Sequence, residues 1–470
     1  VVSGSKSETR EPALSRFGAR LADFCERWFP DAFVFALTAA AIAFVAGLAL
    51  GERPGHLIDE FGNGFWTLIP FTLQMALVIV GGFVVASSPP VARLIARLAL
   101  LPKTARGAIA LTAFFSMITS LVSWGLSAIF SSLLVRELTR RVEDLDYRAV
   151  SAAAYLGTGS VWALGLSSSA ALLQATPSSI PASLLPVTGL LPLSQTIFLW
   201  QSLATAGILI ALSVPIAALS APRSGHCRRA ADYGVQFDTI VSPRGKQVTP
   251  RTPGEWWERS PLLPLFIGAV LAIYLFEQFR HRGGLAALDL NNFNLLFLTA
   301  GLLLQARPTA FLKAVNRAVP ATAGVLIQFP FYAGIAGLVS KTAIAPSLAR
   351  LFVSVSTRRT FPLLVAAYSA VLGLFVPSGG GKWVIEAPYV MAAANSWKIH
   401  LGWTVQIYNA AEALPNLINP FWMLPLMGLL KLKARELAGY SVLQLLFHLP
   451  VVFFLCWLFA RTLPYVPPHM

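Results

Sequence analysis

Two long apolar stretches of this chain are each broken by a short polar turn, Ser123-Trp124-Gly125 in the first half and Pro377-Ser378-Gly379-Gly380-Gly381 in the second. Unpaired backbone amides and carbonyls are costly in hydrocarbon, so such breaks survive at membrane depth only where protein or a watery cavity covers them. Interrupted apolar segments at corresponding places in two halves point to a binding site between internal repeats. A chain of this kind is expected to fold as helices, with both breaks turned inward.

The rest of the sequence agrees. It is 56% hydrophobic and only 12% charged, against about 25% charged in an ordinary soluble domain. Length alone would divide 470 residues among about three domains of ~150, but apolar segments fill the chain almost end to end. One integral membrane domain is the expectation. The chain opens on Val, and residues 1–12 are set apart from fold reasoning. A net charge of +15 is compatible with nucleic acid, but positive charge also collects in the cytoplasmic loops of membrane proteins, which is the stronger explanation here. Cys25, Cys227 and Cys456 are far apart, with neither a disulfide frame nor metal-ligand spacing, and read as packing residues. The six histidines are scattered and form no HExxH.

A hydrocarbon core of roughly 30 Å needs about 20 apolar residues. After an amphipathic stretch at 13–30, spans are expected at 32–50, 67–88, 149–175, 197–219, 260–279, 293–306, 318–338, 403–428 and 440–460. The eighth is interrupted between Glu412 and Pro420. Residues 89–106, with Arg93 and Arg97 on one face, read as a helix lying in the interface, and 344–359 as its counterpart. The stretches 108–135 and 361–395 hold the two breaks. Their arms of about 10–15 residues are short for a crossing, so each is expected to be a re-entrant hairpin.

The fold class that follows is an all-α polytopic membrane protein, an inverted-topology repeat with two re-entrant helical hairpins and about nine membrane crossings. Its parts are an N-terminal cytoplasmic or interfacial segment (1–30), a first repeat (31–219), a polar cytoplasmic linker (220–259), a linking span (260–292) and a second, inverted repeat (293–470). Ala92-Arg93-Leu94 and Ala349-Arg350-Leu351 occupy matching places in the two interfacial helices. With the N-terminus inside and the C-terminus outside, 26 Lys and Arg fall on the inside and nine on the outside, as the positive-inside tendency requires. Lys341, Arg350, Arg358 and Arg359 are outside exceptions, tolerable at the headgroups.

Hairpins entering from opposite sides bring both tips towards the midplane. Helices starting there aim free N–H groups into the cavity, each end equivalent to roughly +0.5 charge, a ready site for a carboxylate. Ser123 and Ser378 add hydroxyls, while Gly125, Gly379, Gly380 and Gly381 allow close backbone approach. The string GGGK is not a phosphate loop, because Val376 and Trp383 stand where the Walker pattern needs Gly and Ser or Thr. Glu412, in the interrupted span, reads either as a proton carrier or as the cap of a half-helix. Asn416 and Asn419 are candidates for holding a cation or substrate. Lys382 and Glu386, four apart, are expected to pair, whether for structure or for function. Thr158, Ser160, Ser167, Ser168 and Ser169 form the matching polar lining of the first half.

The strings TAGVLIQFPFYAGI (322–335), FVPSGGGKWVIEAPYVM (375–391) and NPFWMLP (419–425), with SWG in the first half, resemble the short-chain fatty acid transporter family, the acetoacetate and butyrate permeases. The resemblance runs from about residue 15 to 460. It implies a multi-pass bacterial inner-membrane carrier for small monocarboxylates, not an enzyme, with H⁺ or Na⁺ as coupling ion and no other cofactor. The wider ion-transporter superfamily implies elevator-like movement, tips that bind substrate and cation, and a homodimer. On that reading Ser123, Trp124, Gly125, Ser378, Gly379, Gly380, Gly381, Lys382, Ser160, Ser168, Asn416 and Asn419 bind substrate, with Trp124, Trp383 and Phe421 as an acyl wall. Glu412, Asn416, Ser123 and Ser378 serve the coupling ion. The family more often has His or Gln where this chain has Lys382 and Glu386, and often Asn at Ser123, which leaves ion and substrate preference open. A carrier or passive channel for other anions, such as dicarboxylates, is the alternative. A serine hydrolase is disfavoured, since His448, the sole His in an expected span, has no sequence reason to meet a serine.

Overall fold

The computed structural model describes residues 32–222, 227–235, 252–376 and 378–468. Helices carry the described chain in two matching sets. The first comprises α1 (Ala32–Ala49), α2 (Pro54–Phe65), α3 (Ile69–Ala86), α4 (Pro89–Leu98), α5 (Ala105–Val122), α6 (Trp124–Leu138), α7 (Tyr147–Leu156), α8 (Ser169–Ala175) and α9 (Trp200–Leu219). A short helix, α10 (Pro253–Arg259), and the apolar α11 (Leu262–His281) follow. The second set repeats the order: α12 (Leu290–Gln305), α13 (Pro308–Ala318), α14 (Ala323–Lys341), α15 (Ile344–Ser354), α16 (Phe361–Phe375), α17 (Gly379–Ser396), α18 (Leu401–Glu412), α19 (Pro420–Leu430) and α20 (Ala434–Phe459). The single extra span α11 inverts the second set relative to the first.

Among the described residues, seven helical stretches are long and apolar enough to cross a membrane, and α5 is one of them. This corrects the length argument for the first hairpin. Thr104 accepts the Gly107 amide at 3.1 Å and starts α5 three residues before the expected boundary, giving an arm of 18 residues. Contacts between the two arms on either side of each break, not short arms, define the hairpins. Across the first, the Ser127 hydroxyl donates to the Ser116 carbonyl at 2.8 Å and Phe115 faces Phe130 at 6.3 Å. Across the second, the Tyr368 and Tyr389 hydroxyls lie 2.8 Å apart.

Short helices also form between the expected spans. The short α2 and α13 each begin with Pro in the first turn, where its missing N–H costs nothing. They pack reciprocally. In α2, a Cβ on Gly64 would lie 2.8 Å from the Ala333 carbonyl oxygen of α14, and one on Gly337 2.4 Å from that of Glu60. In turn α13 places Ala314 and Ala318 against Val80 and Val84 of α3. Alongside, α12 ties to α3 through Asn294 donating to the Gln74 carbonyl at 2.9 Å and Gln305 donating to that of Val84 at 2.8 Å. Each set thus lends its opening helices to the third helix of the other.

The span at 149–175 is interrupted, as the repeated order of elements implies. After α7 the chain makes a wide π turn (Gly157–Val161) and a tight turn (Trp162–Leu164) before α8. The cause is tertiary: a Cβ at Gly157 would stand 2.1 Å from the Ser116 carbonyl oxygen, and one at Gly165 2.3 Å from that of Leu121. The hairpin arm α5 occupies the space where side chains would be. In the second set α18 ends at Glu412, and Pro415–Leu417 turns before α19. The two interruptions meet where the Tyr155 hydroxyl donates to the Asn416 carbonyl at 2.5 Å.

The amphipathic segment 13–30, Cys25 and most of the linker lie outside the described residues. Residues 227–235 dock on the turn before α7, with the Arg228 amide donating to Asp146 at 3.0 Å. Cys456 is buried and Cys227 half-buried, both as free thiols. Of the arginines expected outside, Arg358 and Arg359 share a depression of about 440 Å³ with Arg461, whose guanidinium stacks 3.5 Å over the Trp457 ring. An aromatic and a cluster of arginines at one end of the bundle suit an interfacial depth.

Candidate functional site

At each tip a serine starts a helix. Ser123 adopts extended backbone, closes α5, and caps α6 by accepting the Leu126 amide at 3.4 Å. Ser378 caps α17, accepting the Gly381 amide at 3.2 Å, while α16 ends earlier, at Phe375. Ser168 caps α8 through the Ala171 amide at 3.4 Å. The first tip is anchored to the interrupted span by the Trp124 amide, which donates to Ser167 Oγ at 3.0 Å.

The triple glycine of the second tip has a volumetric cause. None of the three has positive φ. Instead, a Cβ on Gly379 would lie 2.6 Å from Trp162, on Gly380 2.9 Å from Phe71, and on Gly381 2.2 Å from Tyr332. Side-chain-free backbone lets the start of α17 dock between three rings from three other elements.

A cavity of about 420 Å³ opens between the tips, lined by Trp124 from one and Ser378, Gly379 and Gly380 from the other. Trp162 and Trp422, from the interrupted spans, complete an indole wall. The Trp422 ring lies 6.2 Å from Trp124, edge to face, and 5.6 Å from Trp162. Ser169, Gln328, Met75, Ile79 and Phe329 add to the lining. Among the described residues that line it, none carries a formal charge. Polarity comes from hydroxyls, one amide, backbone, and the positive starts of α6, α8 and α17.

Behind the second tip, Lys382 Nζ lies 3.5 Å from Glu412 Oε2 and 3.8 Å from Glu386 Oε1, all three buried. The expected Lys382–Glu386 pair is present. Glu412 joins it from α18, a meeting no sequence spacing indicated.

A family model described as short chain fatty acid transporter matches residues 13–459. The chain belongs to the short-chain fatty acid transporter family. A protein of Escherichia coli, named as a candidate short-chain fatty acid transporter, is 34% identical over 92% of this chain and 96% of its own. A Haemophilus influenzae protein of the same name is 31% identical over 93% of this chain and 98% of its own. Among solved structures, the YdaH transporter of Alcanivorax borkumensis, described as having an unusual topology, superposes with a TM-score of 0.57 at 15% identity, covering 93% of this chain and 100% of that one. MtrF of Neisseria gonorrhoeae, described within a class of antimetabolite efflux pumps, gives 0.53 at 12% identity, covering 96% and 99%. These two share the fold with this family member.

The expected site residues separate into two groups. Trp124, Ser378, Gly379 and Gly380 face the cavity. Ser123, Gly125, Gly381, Lys382, Ser160, Ser168 and Asn416 are buried off its lining, and Asn419 is half-buried just before α19. Gly125 and Ser123 press on α3, where a Cβ at Gly82 would lie 2.9 Å from Ser123 Oγ. The Ser160 hydroxyl donates to the Leu156 carbonyl at 2.6 Å. Both side-chain polar atoms of Asn416 are buried without a hydrogen bond. Trp383 stacks on Tyr408 at 4.7 Å instead of forming a wall, and the side chain of Phe421 lies outside the described residues. Trp162 and Trp422, not expected at the site, join its lining; tryptophan in or beside an interrupted span is the sequence signal for them.

His448 does meet a serine: Ser213 Oγ lies 2.6 Å from its Nε2. That pair is sealed between α9 and α20, both residues buried and off the cavity. The relatives are transporters, and the sealed pair offers no substrate access that would favour hydrolysis.

Proposed function

We propose that this protein is a secondary active transporter for short-chain monocarboxylates such as acetoacetate or butyrate. It works in a bacterial inner membrane, by elevator-like alternating access driven by H⁺ or Na⁺, with the N-terminus cytoplasmic and the C-terminus outside. The observation that carries the reading is the single cavity shared by Trp124 of one tip and Ser378 to Gly380 of the other. Ligand sites are mostly apolar clefts with a few placed polar groups. The carboxylate sits at the starts of α17 and α6, near the Ser378 and Ser169 hydroxyls, and the acyl tail lies on Trp124, Trp162 and Trp422. Ser123 then acts by shaping the first tip, not by touching substrate. A second carboxylate would have to be buried against indole and aliphatic side chains without a cation, an expensive arrangement that disfavours dicarboxylates.

The test is uptake of radiolabelled butyrate into proteoliposomes under imposed pH and sodium gradients. Saturable accumulation, inhibited by acetoacetate and not by succinate, is expected. Absence of uptake of every short-chain acid under both gradients refutes the reading; uptake that never saturates favours a passive channel. Ser378→Phe, which intrudes on the cavity, abolishes uptake; Ser378→Ala, which removes only the α17 cap, should lower the melting temperature while keeping measurable uptake.

A further inference from the structure

The charges behind the second tip are unlike an ordinary ion pair. Lys382, Glu386 and Glu412 are 0%, 0% and 1% exposed. Besides its two carboxylate neighbours, Lys382 Nζ donates to the Ser369 carbonyl at 2.8 Å and lies 4.8 Å from the Tyr408 ring centroid. The Ser369 hydroxyl donates to Glu386 Oε2 at 2.8 Å. A carbonyl oxygen, two carboxylates and a ring face are what a small metal cation would gather, but here the cation is tethered to α17.

The charges in this group do not balance. One ammonium and two carboxylates, all ionised, leave an uncompensated negative charge in the protein interior. Burying such a charge costs several kcal/mol even after relaxation, so buried groups take up or lose protons instead. One proton makes the group neutral, and because both acids share one ammonium it belongs to the pair and not to either residue. There is room for it: Glu386 Oε1 and both oxygens of Glu412 are buried and accept no hydrogen bond. The other titratable side chains facing the group are Tyr368 on α16, Tyr389 on α17 and Tyr408 on α18. The first two bond each other at 2.8 Å, and Tyr408 donates to the Gly379 carbonyl at 2.5 Å. Among the described residues around it, no second cation is present to balance the charge.

Gly379 lines the cavity, and a Cβ on it would stand 3.0 Å from Glu412 Oε1. The tip backbone is thus one wall of the cavity and one wall of the charged group. We infer that Lys382, Glu386 and Glu412 form a proton-binding site in which the tethered ammonium takes the place of a sodium ion, so that movement of the second tip is coupled to H⁺ and not to Na⁺. The protonated, neutral group crosses the low-dielectric interior; the proton is exchanged when the tip opens to water. What the proton drives rests on the carrier reading above, but the proton site itself does not.

Infrared difference spectra of the full chain in lipid, recorded through a pH titration without substrate, test the site directly. A carboxylic-acid C=O band from a buried group is expected in the wild type, vanishing as pH rises, and lost or shifted in E386Q and in E412Q. No such band in the wild type, or a band indifferent to both substitutions, overturns the proposal, and the wild-type arm needs no variant to fold. In proteoliposomes, a pH gradient should drive butyrate accumulation and a sodium gradient should not. E412Q should lose gradient-driven accumulation far more than butyrate–butyrate exchange. Accumulation driven by sodium alone overturns the proposal. A wild type that shows the titrating band but moves no acid under any gradient leaves the proton site standing and removes the carrier reading.

Discussion

Adding one methyl group at Gly379 tests whether the second tip is held by shape. In Gly379→Ala the new Cβ would sit 2.6 Å from Trp162 Cη2 and 3.0 Å from Glu412 Oε1. Carbon atoms rest about 3.5–4.0 Å apart, so the indole must retreat by roughly 1 Å. It cannot swing freely, because it packs on Trp422 at 5.6 Å. Overpacking of this kind costs about 1–3 kcal/mol. The helix preference of Ala over Gly returns up to about 1 kcal/mol in a helix interior and less in the first turn of α17. The clash wins, leaving about 1–2 kcal/mol against the docked tip, or roughly a 5–30-fold loss in its population. Butyrate uptake should therefore show a raised KM, with a lower melting temperature in detergent. Gly207→Ala is the control: nothing lies within 4 Å of the added carbon, and it sits inside α9. It should be neutral or slightly stabilising. If Gly379→Ala matches the wild type in both KM and melting temperature, the account of the triple glycine is wrong.

Other expectations follow from the same geometry. Gly165→Ala places a Cβ 2.3 Å from the Leu121 carbonyl oxygen, a backbone atom that cannot rotate away, so folded protein recovered by size-exclusion chromatography should fall sharply; full recovery contradicts the tight α5 packing. Met75→Trp narrows the cavity, and butyrate uptake should fall more than acetate uptake; an equal loss of both would mean that Met75 does not meet the acyl tail. His400 caps α18 by accepting the Trp403 amide at 3.0 Å on Nδ1, which only an unprotonated nitrogen can do. Burial lowers its pKa from the ordinary value of 6.5. The cap's contribution is therefore whole above the ordinary histidine range and is lost as pH falls through the depressed value. The wild-type melting temperature should drop on acidification, and His400→Asn, a cap that does not titrate, should flatten that drop. Parallel curves for the two proteins would assign the acid sensitivity to other groups.

The turns at Ser123 and Ser378 were legible because small polar residues and glycines inside apolar runs leave few alternatives in lipid. At Gly157 the place of the interruption was less legible, because it depends on the Ser116 carbonyl, a partner 41 residues away in sequence. The helix α2 was hidden because PGHLIDEFGNGF contains three glycines, poor helix formers, and both it and α13 (PTAFLKAVNRA) mix polar with apolar positions. Spacing along one helix revealed Lys382 and Glu386, but Glu412 reaches them from another helix. The indole wall was out of reach for a similar reason: Trp124, Trp162 and Trp422 come from three elements, brought together only by the crossing of the two interrupted spans.

The exchange of α1–α2 and α12–α13 between the halves bears on how the molecule is made. When the ribosome has finished the first half, α2 still lacks its seat, since Ala333 and Gly337 are more than a hundred residues from being synthesised. Meanwhile α3 waits for Phe297, Ala314 and Ala318. In this form neither half is complete alone. Assembly is a two-way clasp, completed only after α14 has entered the bilayer.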